Sequence, residues 1–507
     1  MKHARLAAFA VLAVLGNALA FVANGCGGGG AAGSHGAGGE SPDGGGGGAR
    51  GAGGSTRDAG SDAVQPDGPS GDGSTSDGSG GDAGVDHPTM HATAFTDSIG
   101  VGVHMGASAA GQAYGDPTAV SEALSWLHIT HVRDSVGGAS SIWTRAYSDG
   151  GGPFAAAGVH FDVLFGSGNN LDASADLAPF IAPDGGTAFV DTPLAVQYIE
   201  SFEGPNEVDN PGSTTPVDYD ASAALQEGLW TRVQADPALR AKPVLALTVA
   251  FAGNAKDVPD LSSIATFGNM HVYPDNVPPA VMIGQYLAET TDTQGLPKMV
   301  TEIGYFTRSP VFTDTHALTE DVQAKYLLDA IFDTYGQGVV RTYLYDLVDD
   351  GPYVDAGGGT DQQHFGLFHY PLSSPPSGSA KPIATALQNV MTILSDPGPA
   401  FTAAPIPFTL TPGADGSAGP ESLLLEKSGS VYELVLWVEP NLWSFNDGGG
   451  ELSPSPTSVT VSLSTLYDVK VYDPLIAASP QSTSSKGSSV SVSLVDHPII
   501  VELTPAQ

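Results

Sequence analysis

The chain has 507 residues, one cysteine and a formal net charge of −37 at pH 7. Only 18 Lys and Arg stand against 55 Asp and Glu, which argues against nucleic acid or an anionic membrane as the main partner, because phosphate binding needs clustered cations. A single cysteine excludes a disulfide framework and an all-Cys zinc site, and the length allows about two or three domains.

Residues 1–26 read as an export signal. Lys2 and Arg5 form a positive start and Leu6–Leu15 an apolar core that is short for a membrane span. Two processing sites compete. Ala18-Leu19-Ala20 suits ordinary cleavage and secretion, whereas Ala23-Asn24-Gly25-Cys26 resembles a lipoprotein box in which Cys26 would be acylated and anchor the chain to an outer membrane or cell surface.

Residues 27–92 are mostly Gly, Ser, Ala and Asp. Without large apolar side chains such a stretch cannot offset its ordering entropy, so a disordered linker is expected. The linker takes much of the glycine but little of the charge: about −32 of the net charge falls after Asp86.

From residue 93 to 396 short apolar runs alternate with amphipathic stretches. The strand candidates are Ile99–His104, Ile129–Arg133, Phe161–Phe165, Tyr198–Phe202, Val244–Val249, Met270–Tyr273, Met299–Thr301 and Val340–Tyr345. Helix candidates lie between them. One opens at Asp116-Pro117, an N-cap followed by a first-turn proline. The others are Ser222–Gln234, Ala280–Thr290, Glu320–Tyr335 and Lys381–Leu394. Eight strands alternating with helices predict an α/β fold of the (β/α)8 TIM-barrel type. No dinucleotide fingerprint or phosphate loop is present in the sequence.

A barrel of this kind does its chemistry where the strands end. There stand His104, Arg133, Asn206-Glu207, His271 with Tyr273, Glu302 with Tyr305, and Tyr345-Asp346. Glu207 and Glu302 end the fourth and seventh strands, three apart around the ring, so their side chains can meet across its mouth. Two carboxyls about 5–5.5 Å apart suit retaining glycoside hydrolysis, one protonated to donate and one ionised to attack. Glu203 reads as a supporting acceptor. His104 and His131 suggest a metal only weakly, since no His-Glu-x-x-His occurs; no metal or organic cofactor is implied.

Asn206-Glu207 after the fourth strand and a lone Glu302 after the seventh resemble clan A of the retaining glycosidases, which includes cellulase-, mannanase- and β-xylosidase-like families. The resemblance spans about Thr93–Ser395. It implies Glu207 as general acid/base, Glu302 as nucleophile and Asn206 as a partner of the sugar 2-hydroxyl. It also implies that Tyr273 of His271-Val272-Tyr273 hydrogen-bonds the nucleophile, that Arg133 keeps it ionised, and that Phe365-Gly366-Leu367 with Lys381-Pro382 closes the barrel. Many members carry a Trp platform after the eighth strand; this chain has Tyr343, Tyr345 and Asp346 there. Trp143, Tyr305, Phe306 and Tyr353 are candidate replacements.

Residues 397–507 switch to an alternating period, with runs at Leu423–Leu425, Tyr432–Val438, Ser458–Leu463, Asp468–Tyr472, Val490–Leu494 and Ile499–Leu503. This predicts an all-β sandwich. The domain reads either as a structural unit packed on the barrel or as a carbohydrate-binding module; Trp437 reads as core, and Trp443, in a loop, is the better candidate for a sugar platform under the second reading. The expected function is retaining hydrolysis of a β-linked, neutral oligo- or polysaccharide by an exported monomer. The alternative is a non-catalytic glycan-binding lipoprotein on a degenerate barrel.

Overall fold

The computed structural model describes residues 85–86, 89–105, 112–135, 152–165, 198–210, 217–308, 316–350, 361–413, 419–444 and 449–507. The export signal, Cys26, most of the linker, Trp143 and Tyr353 lie outside these residues.

Eight short strands form the first body: β1 (Ile99–Gly102), β2 (His131–Ser135), β3 (His160–Leu164), β4 (Ile199–Glu203), β5 (Val244–Leu245), β6 (Gly268–Val272), β7 (Lys298–Ile303) and β8 (Thr342–Leu344). All pairings are parallel, in the order β5-β4-β3-β2-β1-β8-β7-β6. A parallel bridge from Leu245 to Phe267, just ahead of β6, closes the ring. The strands are covered inside by the barrel core and outside by helices, which is why they read as apolar runs. The largest departure from the sequence reading is β5, which stops at Leu245. Beyond it the Thr248 amide donates to Pro205 O at 2.9 Å, so the chain leaves the ladder to lace the loop after β4.

Among the described residues five longer helices cover the barrel: α1 (Pro117–Leu127), α2 (Tyr219–Ala235), α3 (Pro279–Glu289), α4 (Glu320–Gly336) and α5 (Pro382–Ile393). Asp116 caps α1 by accepting from the amides of Thr118 at 3.0 Å and Ala119 at 3.3 Å, with Pro117 at the first turn. The segment after β8 is pinned from below. Buried Lys381 donates to Asp349 Oδ1 at 2.7 Å and to His364 O at 3.2 Å, and the Gly366 amide donates to Asp349 Oδ1 at 3.0 Å.

The second body is an antiparallel-rich sheet domain of β9 (Pro407–Pro412), β10 (Glu421–Lys427), β11 (Val431–Trp437), β12 (Thr457–Tyr472), β13 (Ser482–Leu494) and β14 (Ile499–Pro505). Its order is β9-β12-β14-β11-β10, with β13 also on β12. Two stretches read as separate strands, Ser458–Leu463 and Asp468–Tyr472, are the halves of β12. Its register slips between Ser462 and Tyr467; the first half pairs with β9 and the second with β14. That slip bends the sheet over a core that includes Phe408, Leu434, Val461, Val469, Leu494 and Leu503, giving the sandwich.

The end of the stretch read as linker is structured. Thr89–His91 adds a parallel strand to β10, and Val85–Asp86 pairs with β9. The reason is tertiary: three apolar-poor residues gain a ladder only because a distant strand offers its edge. The opposite face of this sheet packs on the barrel. Leu425, Val435 and Trp437 join the core of α4 and α5, and Trp437 Nε1 donates to Asp333 Oδ1 at 3.0 Å. Trp443 is 1% exposed, with the Arg308 guanidinium 4.5 Å from its ring centroid. It is interior packing and not a sugar platform. The adjacent Leu442 amide donates to Tyr326 Oη at 2.7 Å, which draws the loop inward.

Trp443→Ala should therefore destabilise the fold by about 3–5 kcal/mol, as emptying a buried aromatic site does. A urea-unfolding midpoint unchanged from the parent chain would contradict this placement.

Candidate active site

The barrel positions its polar groups at the strand ends. Arg133, in β2, is 6% exposed and sits at the centre. Its Nε and Nη2 each donate to one oxygen of Glu203, both at 2.7 Å, a bidentate pair with the last residue of β4. Nη2 also donates to Asn206 Oδ1 at 2.7 Å. Nη1 donates to Glu302 Oε1 in β7. Glu302 Oε2 accepts from the Tyr273 hydroxyl. Burial and the Glu302 charge push Tyr273 well above its ordinary value, so it stays a donor.

Glu207 sits beside this assembly on a turn of left-handed backbone, φ 43°. Its amide donates to Thr248 Oγ1 at 2.9 Å, and the Val208 amide donates to Thr248 O at 3.0 Å. Gly204 makes the turn possible, since an added Cβ would overlap Gln226 and come within 2.8 Å of the Leu247 amide. Asp209 holds the facing segment by accepting from the Phe251 amide at 3.3 Å and Asn254 Nδ2 at 2.7 Å. Glu207 Oε2 accepts from Asn210 Nδ2 at 2.9 Å, and Oε1 lies 3.0 Å from His271 Nδ1.

One oxygen of Glu207, one of Glu302 and one ring nitrogen of His271 all lie within 4.8 Å of one another. The two carboxylates face each other across a site that is nearly closed, at 8% and 7% exposure. They differ in surroundings. Glu302 is held by a guanidinium and a phenol, whereas Glu207 is held by an imidazole and an amide. Burial alone would raise Glu207, but hydrogen bonds from His271 and Asn210 bring it below the ordinary carboxyl value. Burial alone would lower His271, but Glu302, Glu203 and Glu207 outweigh it and carry it up to about 9. The proton of this group therefore rests on the imidazole.

Of the residues read from the sequence, Arg133, Asn206, Glu207, His271, Tyr273 and Glu302 come together. Glu203 takes the supporting position expected of it. Tyr345 lines the same mouth, its ring 5.9 Å from Tyr273 and 5.3 Å from Phe365. Tyr305 does not belong to the cleft: it is fully buried, its ring 5.2 Å from Tyr326, its hydroxyl donating to Val277 O at 2.9 Å. It follows Glu302 by three residues, and the chain has by then turned toward α4. His131 lies at the other end of β2, between Glu200 at 2.7 Å and Asp97 at 3.0 Å. His104 lies beside Tyr345 at the mouth, with Asp350 Oδ2 at 3.2 Å.

Several members of the network had no signal of their own in the sequence. Asn210 sits one turn past Glu207. Thr301 Oγ1 donates to Asn269 Oδ1 at 2.8 Å and lies 3.1 Å from His271 Nε2. Asp162, fully buried, accepts from Ser201 at 2.7 Å beneath Glu203; burial and the Glu203 charge push it well above its ordinary value. A charged residue inside the apolar run Phe161–Phe165 is the one signal that could have drawn attention to it.

No protein-family model matches the chain, and no curated protein matches its sequence. Solved structures match its fold. A glucosidase from Croceicoccus marinus aligns with a TM-score of 0.51 and 14% identity, over 84% of this chain and 98% of its own. A GH39 enzyme from Xanthomonas axonopodis pv. citri gives 0.49 and 13%, over 84% and 95%. A family 51 α-L-arabinofuranosidase from Bifidobacterium longum gives 0.48 and 13%, over 83% and 97%. At 14% identity the likeness to the glucosidase is one of fold.

Two outcomes follow for stability. Arg133→Met leaves Glu203 and Glu302 buried without their cation and should cost about 3–5 kcal/mol in urea unfolding. His271, with a folded pKa above the unfolded value near 6.5, contributes its full stabilisation below that value and loses it as pH rises through about 9. The urea midpoint should therefore fall between pH 6.5 and pH 9.5, and His271→Gln should flatten that slope; an identical slope in the variant would contradict the assignment.

Proposed function

We propose that the chain is a retaining glycoside hydrolase of the clan A type, acting outside the cytoplasm on a β-linked, neutral oligo- or polysaccharide. The observation that carries this reading is the pair of buried carboxylates, Glu207 and Glu302, with oxygens within 4.8 Å at the mouth of a parallel barrel. The likeness of the fold to a glucosidase supports it.

In this reading Glu302 attacks the anomeric carbon. Arg133 and Tyr273 hold and aim it through their hydrogen bonds. Glu207 relays to the leaving oxygen the proton of His271 Nδ1, 3.0 Å from its Oε1, and ends this step ionised beside a neutral imidazole. Water then attacks the glycosyl-Glu302 ester while Glu207 takes its proton, which returns to His271. The sugar leaves with its configuration kept and the chain returns to its starting state. Asn206, oriented by Arg133, offers its amide to a sugar hydroxyl. Tyr345 and Phe365 supply apolar faces for the ring. The acidic body repels polyanionic glycans, which favours neutral ones. Export follows from residues 1–26, with Cys26 as the lipid attachment point, and the catalytic unit acts as a monomer.

On activated aryl glycosides Glu207→Ala should lose about 10²–10⁴-fold in kcat. Glu302→Ala should fall to background, and azide should restore turnover with inverted product. Activity of the parent chain should decline as pH rises through about 9, where His271 gives up its proton. Normal turnover in either Glu variant would overturn the reading. Binding of polysaccharide without turnover by the parent chain would favour a non-catalytic glycan-binding protein.

A further inference from the structure

A second cluster of ligating groups lies at the barrel mouth, on the β1–β8 side. His104 follows β1, and Asp346 and Asp350 follow β8; the Leu347 amide donating to Gly102 O at 3.0 Å ties the two segments together. One ring nitrogen of His104 and one oxygen from each Asp lie within 4.8 Å of one another. His104 Nδ1 is 3.2 Å from Asp350 Oδ2 and 3.8 Å from Asp346 Oδ2.

Asp346 is fully buried. Its Oδ2 accepts from the Tyr114 hydroxyl at 2.7 Å, and that hydroxyl accepts in turn from the Val348 amide at 3.0 Å. Its Oδ1 has no hydrogen-bond donor. A buried carboxylate oxygen without a partner is costly unless something neutralises it. The buried half of the cluster is thus rigid and one donor short. The other half is open, since the side chains of His104 and Asp350 are 29% and 32% exposed.

We propose that His104, Asp346 and Asp350 form a binding site for a divalent first-row cation of the Zn²⁺ or Mn²⁺ class. One imidazole nitrogen and two carboxylate oxygens are a donor set for such ions and leave positions open for water. Ligands about 2.0–2.2 Å from an ion stand roughly 3.4 Å apart around a tetrahedron, between the two His104 separations in the structure. The ion would sit between the imidazole and the two carboxyl groups and share its charge with both. The site is separate from Glu207, His271 and Glu302 and does not depend on the glycosidase reading.

The test is calorimetric titration of the chelator-dialysed full chain with Zn²⁺, and separately with Mn²⁺ and Ca²⁺. The parent chain should bind Zn²⁺ or Mn²⁺ with a saturable equivalent that Asp350→Asn and His104→Gln both lose, while circular dichroism shows each variant folded. Glu302→Gln should keep that equivalent, which separates it from the carboxylate pair. Co²⁺ loaded into the parent chain should give visible absorption bands that Asp350→Asn lacks. The proposal is overturned if the folded parent binds none of the three ions, if it binds Ca²⁺ alone, or if the equivalent survives Asp350→Asn. Loss of the equivalent in Glu302→Gln would equally sink it.

Discussion

The buried guanidinium of Arg133 is the constraint on which the barrel mouth depends. One side chain neutralises Glu203, holds Glu302 and orients Asn206, and so ties β2 to β4 and β7 across the ring. A carboxylate taken out of water is costly unless a cation and well-placed donors replace its hydration. Arg133 meets that condition for two carboxylates at once because its planar fork offers five donors in fixed directions. A lysine could supply the charge but not the geometry.

This arrangement makes the two facing carboxylates unequal. Glu302 is fixed by permanent donors, a guanidinium and a phenol that keeps its proton. Glu207 faces an imidazole that shares its proton with the carboxylate. Unequal surroundings of this kind make two neighbouring carboxyls chemically distinct. The backbone serves the same end. The left-handed turn at Glu207 is laced to the segment after β5 by Thr248 and braced by Asp209, so the side chain is held by a loop with little freedom to relax. The β-domain contributes indirectly. By covering α4 it lets that helix bury nearly its whole length, including Asp333, which receives the Trp437 indole.

Sequence reading recovered the barrel because parallel strands covered on both faces leave an unmistakable apolar rhythm, and all eight runs were visible as such. Arg133, Glu207, His271, Tyr273 and Glu302 stand where apolar runs stop, which places them on one rim in the sequence, and the structure brings their side chains together. Sequence reading misplaced Tyr305 and Trp443 for a common reason. A large aromatic in a loop has the same sequence signal whether it faces a ligand or folds back into the core. Burial decides, and burial depends on partners such as Tyr326 and Arg308 that are distant or unremarkable in sequence. The edge strand Thr89–His91 was hidden in the linker reading because its ladder is supplied entirely by β10.

The sequence alone determined the order of elements, the identity of the rim residues and the excess of negative charge, all of which are properties of local pattern and composition. Tertiary structure alone decided which rim residues share protons and charge. Thr301 and Asp162 enter the network through hydrogen bonds between strands, and Asp346 meets the Tyr114 hydroxyl only where the segment after β8 packs on that distant residue. Such relations depend on distances of about 3 Å between groups far apart in the chain, and periodicity along the chain carries no information at that scale.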